Sequence, residues 1–248
     1  MKNGRINILQ YGLPLAAVAM LSACGSSKPT DTNNQNSNQI VTVPKNETVT
    51  AMTGLPAAAE NLEALTEQAF TASPEELVSL FTKAQESVAG ISGQLSPQAT
   101  KSLDGYLRDA KTAIDAGNPS DTALAAVEGY KLIVSAYPPD ARIPAAVSLL
   151  DYAGFRIQAD LKSDPKRWAD AQEAAKYAHD QWDQIKDKVT DTDLNKRFTT
   201  SLSKLDEYLS VKDDKMAAKA AVTELDLVDE LEGFFQPATK PVAPDTTN

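Results

Sequence analysis

The sequence predicts an all-α protein, a tandem of two up-down four-helix bundles with about eight helices in all. Three observations predict it. Apolar residues recur at helical spacing from Leu55 to Phe235. Several helix starts carry a capping side chain followed by proline. Short segments of the first half recur in the second half in the same order. Because Ala, Leu, Lys, Glu and Asp dominate and β-branched runs are few, strands are not expected.

The predicted helix starts share a capping residue directly before a proline, which needs no hydrogen-bond partner in the first turn. They are Ser73-Pro74, Ser96-Pro97, Asn118-Pro119 and Asp164-Pro165. Ser73 and Glu76 also fit a capping box, and Thr190 or Asp191 is expected to cap a further start. The predicted helices span 56–71, 74–90, 97–116, 119–137, 143–162, 165–188, 191–211 and 213–235.

The sixth predicted helix has the clearest pattern. Its apolar residues alternate by three and four, as on the buried face of an antiparallel bundle helix. They are Trp168, Ala171, Ala175, Ala178, Trp182, Ile185 and Val189. The small alanines predict that a neighbouring helix approaches closely along this face.

Three pairs of matching segments indicate the duplication. In order, they are Leu55-Pro56-Ala57-Ala58 with Ile143-Pro144-Ala145-Ala146, Ser73-Pro74 with Asp164-Pro165, and Leu103–Leu107 with Leu205–Leu209. Because Pro138 and Pro139 cannot continue a helix, the repeats are predicted at 55–138 and 139–236, followed by a disordered tail at 237–248. Coincidence in an alanine-rich chain is the alternative.

The N-terminus has the features of a secretion signal. Lys2 and Arg5 precede an apolar stretch that is too short and too interrupted to anchor a protein across a bilayer. The segment ends in Leu21-Ser22-Ala23-Cys24, which resembles the lipobox of bacterial lipoproteins. An ordinary secretion signal with a chance cysteine is the alternative reading.

The lipobox resemblance implies that residues 1–23 are removed and that Cys24 becomes the lipid-modified first residue. Gly25, where that family places Asp to retain a protein at the inner membrane, implies the outer membrane. Residues 24–54 are rich in Ser, Thr, Asn and Gln, which predicts a flexible tether with a reach of roughly 30 Å. We expect an anchored body that faces the periplasm.

The composition excludes several classes of function. A net charge of −10 argues against nucleic acid, which requires clustered Lys and Arg. The single Cys excludes a disulfide within the chain, and the single His excludes sites with two imidazoles. That histidine, His179, lies beside the predicted buried face and lacks the His-x-x-Glu motif of imelysin-like proteins, because Trp182 stands where Glu is needed. We therefore expect no cofactor.

The catalytic and calcium motifs are incomplete. An EF-hand-like start at Asp191 lacks Gly at the sixth position, where Lys196 stands, and Glu at the twelfth, where Leu202 stands. Ser201 and Lys204 fit the Ser-x-x-Lys pattern of penicillin-binding proteins, but the accompanying motifs are missing. We therefore expect a protein that is not an enzyme.

Two places remain as candidate sites. Asp226, Asp229 and Glu230 are spaced so that carboxylates share a helix face and could hold a cation, the alternative being a solvated face. Asp151 lies in an apolar run and is expected to be partly buried with a partner, Arg156 or a backbone N–H. That pair would be structural or part of a ligand site.

These observations predict an outer-membrane lipoprotein that acts as a non-catalytic binding or scaffolding module. Its expected partners are the membrane, through the lipid anchor, and a periplasmic or envelope protein. The alternative is a periplasmic protein that binds a small ligand or a divalent cation.

Overall fold

The computed structural model describes residues 54–236, and within that range the chain is helical without β-strands. The helices are α1 (Gly54–Gln68), α2 (Pro74–Ile91), α3 (Pro97–Asp115), α4 (Pro119–Val134), α5 (Ala145–Lys162), α6 (Trp168–Ile185), α7 (Thr192–Ser210) and α8 (Asp214–Phe235). Short 3₁₀ helices follow α2 (Ser92–Gln94) and α6 (Lys186–Lys188). The all-α prediction is confirmed. The predictions for the signal segment, the lipidated Cys24, Gly25, the tether up to residue 53 and the tail lie outside the described residues.

Most of the predicted caps are present. The Ser73 hydroxyl accepts from the backbone N–H of Glu76 at 3.2 Å, and the Glu76 carboxylate accepts from the backbone N–H of Ser73 at 2.8 Å. This reciprocal pair is the predicted capping box. Ser96 and Asn118 cap α3 and α4 in the predicted way, and Asp191 caps α7. Local side-chain chemistry therefore sets these helix starts.

The predicted start of α6 at Pro165 is wrong, because the helix begins at Trp168. The backbone N–H of Arg167 donates to the carbonyl of Asp160 at 3.0 Å, which folds the intervening segment back on the end of α5. Arg167 takes the cap position without a side-chain hydrogen bond. A contact with the preceding helix therefore replaces the expected cap-and-proline start.

The helices pack in two similar sets. In the first set, α1 contacts α2 and α4, and α3 contacts α2 and α4. In the second set, α5 contacts α6 and α8, and α7 contacts α6 and α8. The sets meet where α4 packs against α5.

The duplication itself stays a prediction. Leu103 lies in the second turn of α3, whereas its sequence match Leu205 lies in the last two turns of α7. Likewise, Pro74 is in the first turn of α2, but Pro165 precedes α6. These two matches therefore do not occupy equivalent places in the helices.

One hydrophobic core crosses the predicted repeat boundary. Tyr130 of α4 and Val147 of α5 lie in the same buried cluster, which also includes Leu62 of α1 and Phe198 of α7. A smaller cluster fills the other end of the second helix set, around Leu205. The main core therefore joins the two sets through α4 and α5.

The predicted buried face of α6 is largely confirmed. Its alanines, Trp182 and Ile185 are buried, as is Val189 after the helix, and Trp168 is half-buried. His179 lies beside this face, and its Nε2 is 2.7 Å from a carboxylate oxygen of Asp206 on α7. The histidine therefore forms a surface contact between two helices.

Candidate functional site

A cavity of about 680 Å³ opens beside α1, the α4–α5 connection and the end of α8. We call it the acidic cleft. Its polar lining includes Glu60, Glu63, Tyr130, Tyr137, Ser148 and Glu232. Arg142 is the basic side chain among the lining residues that the structure describes. The volume lies within the range of sites for small organic molecules.

Helical spacing brings the carboxylates to this cleft. Glu60 and Glu63 are three residues apart on α1, so they project from the same face of the helix. Glu232 comes from the last turn of α8, far away in the sequence. Tyr130 lies near the end of α4, and Tyr137 follows that helix. Both tyrosines line the cleft with the three glutamates.

Two carboxyl groups of the cleft have raised pKa values. Burial raises the pKa of Glu63 to about 8, with further contributions from the charges of Glu67 and Glu232. Burial also raises the pKa of Glu232, with contributions from Asp229 and Glu60. Like charges so close together repel one another. A cation that entered the cleft would offset this repulsion and would therefore lower the pKa of both carboxyl groups.

Asp151 lies behind the cleft and is only 6% exposed. Ser148, which precedes it by three residues on α5, lines the cleft. Burial raises the pKa of Asp151 well above its usual value, and the charges of Glu63 and Glu232 add to this. Within residues 54–236, no Lys or Arg nitrogen lies within 4.0 Å of its carboxylate. The predicted burial of Asp151 is therefore confirmed.

Of the two partners considered for Asp151, Arg156 or a backbone N–H, Arg156 does not contact it. Five residues along a helix correspond to a rotation of roughly 140°, so the two side chains leave α5 on different sides. Arg156 instead pairs with Glu128 on α4, and its Nε donates to Asp160 Oδ2 at 3.0 Å. The hydroxyl of Tyr152 also donates to Glu128, at 2.9 Å. We call this group the Arg156 brace, because it joins α4 to α5.

The three acidic residues predicted as a cation site lie in different surroundings. Arg197 on α7 donates to both carboxylate oxygens of Glu230, at 2.8 and 2.6 Å, and these hydrogen bonds lower the pKa of Glu230. The charge of Asp229 instead helps to raise the pKa of Glu232 at the acidic cleft. Asp226 is exposed. In the part of the chain that is described, no group of three His, Cys, Asp or Glu residues is arranged to hold a metal ion.

Glu224 is a buried acid on α8, although the acidic residues that follow it, Asp226, Asp229 and Glu230, are exposed. It is 0% exposed, and neither carboxylate oxygen has a hydrogen-bond partner in the described region. A Cβ added at Gly154 would collide with this carboxylate, so the glycine lets α5 and α8 approach closely. Leu227 and Val228 follow Glu224 by three and four residues, and this spacing could have predicted its buried position.

Comparisons of the chain with protein-family models, curated proteins and solved structures give no match. Between residues 54 and 236, no helix combines the length and the apolar character needed to cross a membrane.

Proposed function

We propose that this chain is a lipid-anchored, non-catalytic binding protein of the bacterial envelope whose acidic cleft binds a small, positively charged organic molecule. The observation that carries the proposal is the convergence of Glu60, Glu63 and Glu232 on one cavity of about 680 Å³. A concave cavity of this size suits a small ligand better than a flat protein surface. This supports the small-ligand role over the scaffolding role.

The chemistry of the lining favours an amine. An ammonium group forms charge-assisted hydrogen bonds with carboxylates, and the faces of Tyr130 and Tyr137 could stabilise a cation that lies above them. A divalent metal ion is less suitable, because the described residues contain no cluster arranged to ligate one. A linear polyamine, with several charges separated by methylene groups, matches carboxylates that are spread around a cavity.

The envelope location is proposed from the sequence. Leu21-Ser22-Ala23-Cys24 supports lipid attachment at Cys24, and Gly25 supports the outer membrane. The polar composition of residues 25–54 supports a tether that lets the body work in the periplasm near the membrane.

Calorimetry of the full-length protein in a neutral detergent tests the ligand. Spermidine is expected to bind, and Glu63→Gln/Glu232→Gln is expected to weaken that binding about tenfold or more, equivalent to about 1.4 kcal/mol. Glu173→Gln, which removes an exposed acid of α6, is the matched control and should bind like the original protein. Calcium titrated in the same way should bind no more tightly than in the millimolar range.

Two results would reject the cleft as a cation site. One is the absence of spermidine binding. The other is equal affinity in the double variant and in the Glu173→Gln control, which would place the binding elsewhere on this acidic protein.

Labelling with palmitate tests the anchor separately. Cys24→Ser should abolish incorporation, because it removes the only thiol of the chain. Ser26→Ala, two residues further on, should be labelled like the original protein. Continued labelling of Cys24→Ser would contradict lipid attachment at this residue, whatever the cleft binds.

A further inference from the structure

A second cavity, of about 470 Å³, lies between α7 and α8 and carries the opposite charge. We call it the basic groove. Its walls include Lys196, Lys204 and Lys219, while the half-buried side chains of Tyr208 and Met216 give it an apolar surface. This local positive charge contrasts with the net charge of −10 of the whole chain.

The lysines of the basic groove are not engaged in ion pairs. Within residues 54–236, no carboxylate oxygen lies within 4.0 Å of the ammonium groups of Lys196, Lys204 or Lys219, a state that they share with other exposed lysines. These three positive charges are therefore available to a ligand.

The other charges of the groove wall are paired with one another. Arg197 donates to Asp193 at 2.8 Å and to Glu230 at 2.8 and 2.6 Å. Asp193 and Glu230 therefore accept the hydrogen bonds of Arg197 and neutralise its charge in the groove wall. The excess positive charge comes from the lysines.

An unpaired hydroxyl provides a second, independent observation. Ser201 lines the basic groove and is only 5% exposed, and its Oγ has no hydrogen-bond partner in the described part of the chain. By contrast, Thr199 and Ser203 on the same helix donate to backbone carbonyls one turn back, at 2.9 and 3.0 Å. Because buried hydroxyls are normally paired, the Ser201 hydroxyl retains an unused hydrogen bond to donate.

We propose that the basic groove binds a single-chain anionic amphiphile, such as an alkyl phosphate or a fatty acid. The anionic head lies between Lys204 and Lys219 and accepts a hydrogen bond from the Ser201 hydroxyl. The chain lies along the apolar surface that Tyr208 and Met216 provide. This site is separate from the acidic cleft and does not depend on the cation proposed for it.

Calorimetry of the full-length protein in a neutral detergent tests this site with octyl phosphate. Octyl glucoside, with the same chain and a neutral head, and inorganic phosphate, with no chain, are titrated in parallel. Octyl phosphate should bind at least about tenfold more tightly than inorganic phosphate, because only the amphiphile uses both the lysines and the apolar surface. Octyl glucoside should bind no more tightly than inorganic phosphate.

Matched variants locate the binding. Lys204→Gln/Lys219→Gln should weaken octyl phosphate binding about tenfold or more, and Ser201→Ala should weaken it severalfold. Lys101→Gln, which removes an exposed lysine of α3, should leave it unchanged. Helical circular dichroism of each variant checks that the fold is retained.

The outcomes that would overturn the proposal are distinct. Equal affinity in the double variant and in Lys101→Gln would show that the groove is not the site. Equal affinity for octyl glucoside would show that the anionic head is not recognised. Binding to phosphatidylglycerol vesicles through the same lysines, without binding of octyl phosphate, would assign the groove to a bilayer surface instead.

Discussion

Two aspartates on α5 are buried in opposite chemical settings. Asp160 has a fully buried side chain with Arg156 at 3.0 Å, and burial raises its pKa to about 6 while Arg156 limits the rise. Asp151 is 6% exposed and faces Glu63, Glu224 and other acids, and its pKa is raised well above the usual value. Burial alone therefore does not set the pKa of these aspartates; the charge of the groups beside each carboxyl matters as well.

The two sides of α5 thus serve different purposes. The side with Arg156 joins α5 to Glu128 of α4 through charged groups and connects the two helix sets. On the side with Asp151, burial and neighbouring acids raise the pKa of a carboxyl group behind the acidic cleft. A charged contact joins two helices on one side of α5, whereas an acid without a Lys or Arg nitrogen within 4.0 Å in residues 54–236 lies on the other.

Removal of Arg156, the basic partner of Asp160, should change the free energy of unfolding most. Arg156→Met leaves Glu128 and Asp160 without their shared cation, and it should lower the free energy of unfolding by about 3–5 kcal/mol. Urea denaturation at pH 7 measures this change. Arg167→Met, which breaks an exposed ion pair with Asp121, is the control and should cost about 0–1 kcal/mol. Equal losses in the two variants would contradict a special role for the Arg156 brace.

Removal of Glu224, a buried acid without a hydrogen-bond partner in the described residues, should stabilise the protein instead. Glu224→Met keeps a similar chain length and removes two unpaired oxygens, so it should raise the free energy of unfolding by about 1–3 kcal/mol at pH 8. At pH 4 the gain should be smaller, because Glu224 then carries its proton in the unfolded chain too. Glu173→Met is the exposed control. Destabilisation by Glu224→Met at pH 8 would show that the carboxylate has a partner in solution.

The pH dependence of stability should separate the two aspartates. A folded-state pKa above the unfolded value means that the folded protein binds more protons, so stability falls as the pH rises, by up to about 1.4 kcal/mol per pH unit for each group. For Asp160 this fall should end near pH 6. For Asp151, whose pKa burial raises well above its usual value, the fall should continue beyond the pH range in which a free aspartate ionises.

Urea denaturation from pH 4 to pH 8 measures these slopes. Asp160→Asn should flatten the dependence of stability on pH below about pH 6. Asp151→Asn should flatten it above the pH range in which a free aspartate ionises. Glu63→Gln should also flatten the curve, up to about pH 8, where the carboxyl of Glu63 ionises in the folded protein. Identical curves for the two aspartate variants would remove the distinction between the two sides of α5.

The sequence was sufficient for the helices because their signals are local. Ser73, Ser96 and Asn118 cap helices through contacts three residues away, and the apolar spacing of α6 identifies its buried face. The start at Pro165 was missed because Arg167 bonds to the end of α5, a contact that cap and proline patterns do not encode.

The candidate site could be predicted only in part. The apolar run around Asp151 correctly indicated burial, but the partner of Arg156 depends on how α4 lies against α5. The acidic cleft combines Glu63 with Glu232, from opposite ends of the described chain. No local pattern relates these two residues, because their proximity results from the packing of the whole bundle.

Both ends of the described chain reach the rim of the acidic cleft. Leu55 and Pro56 of α1 line it, and so does Gln236 after α8. Glu63 and Glu232 therefore belong to the first and the last helix of the described chain. A change in the position of either helix would alter the shape of the acidic cleft.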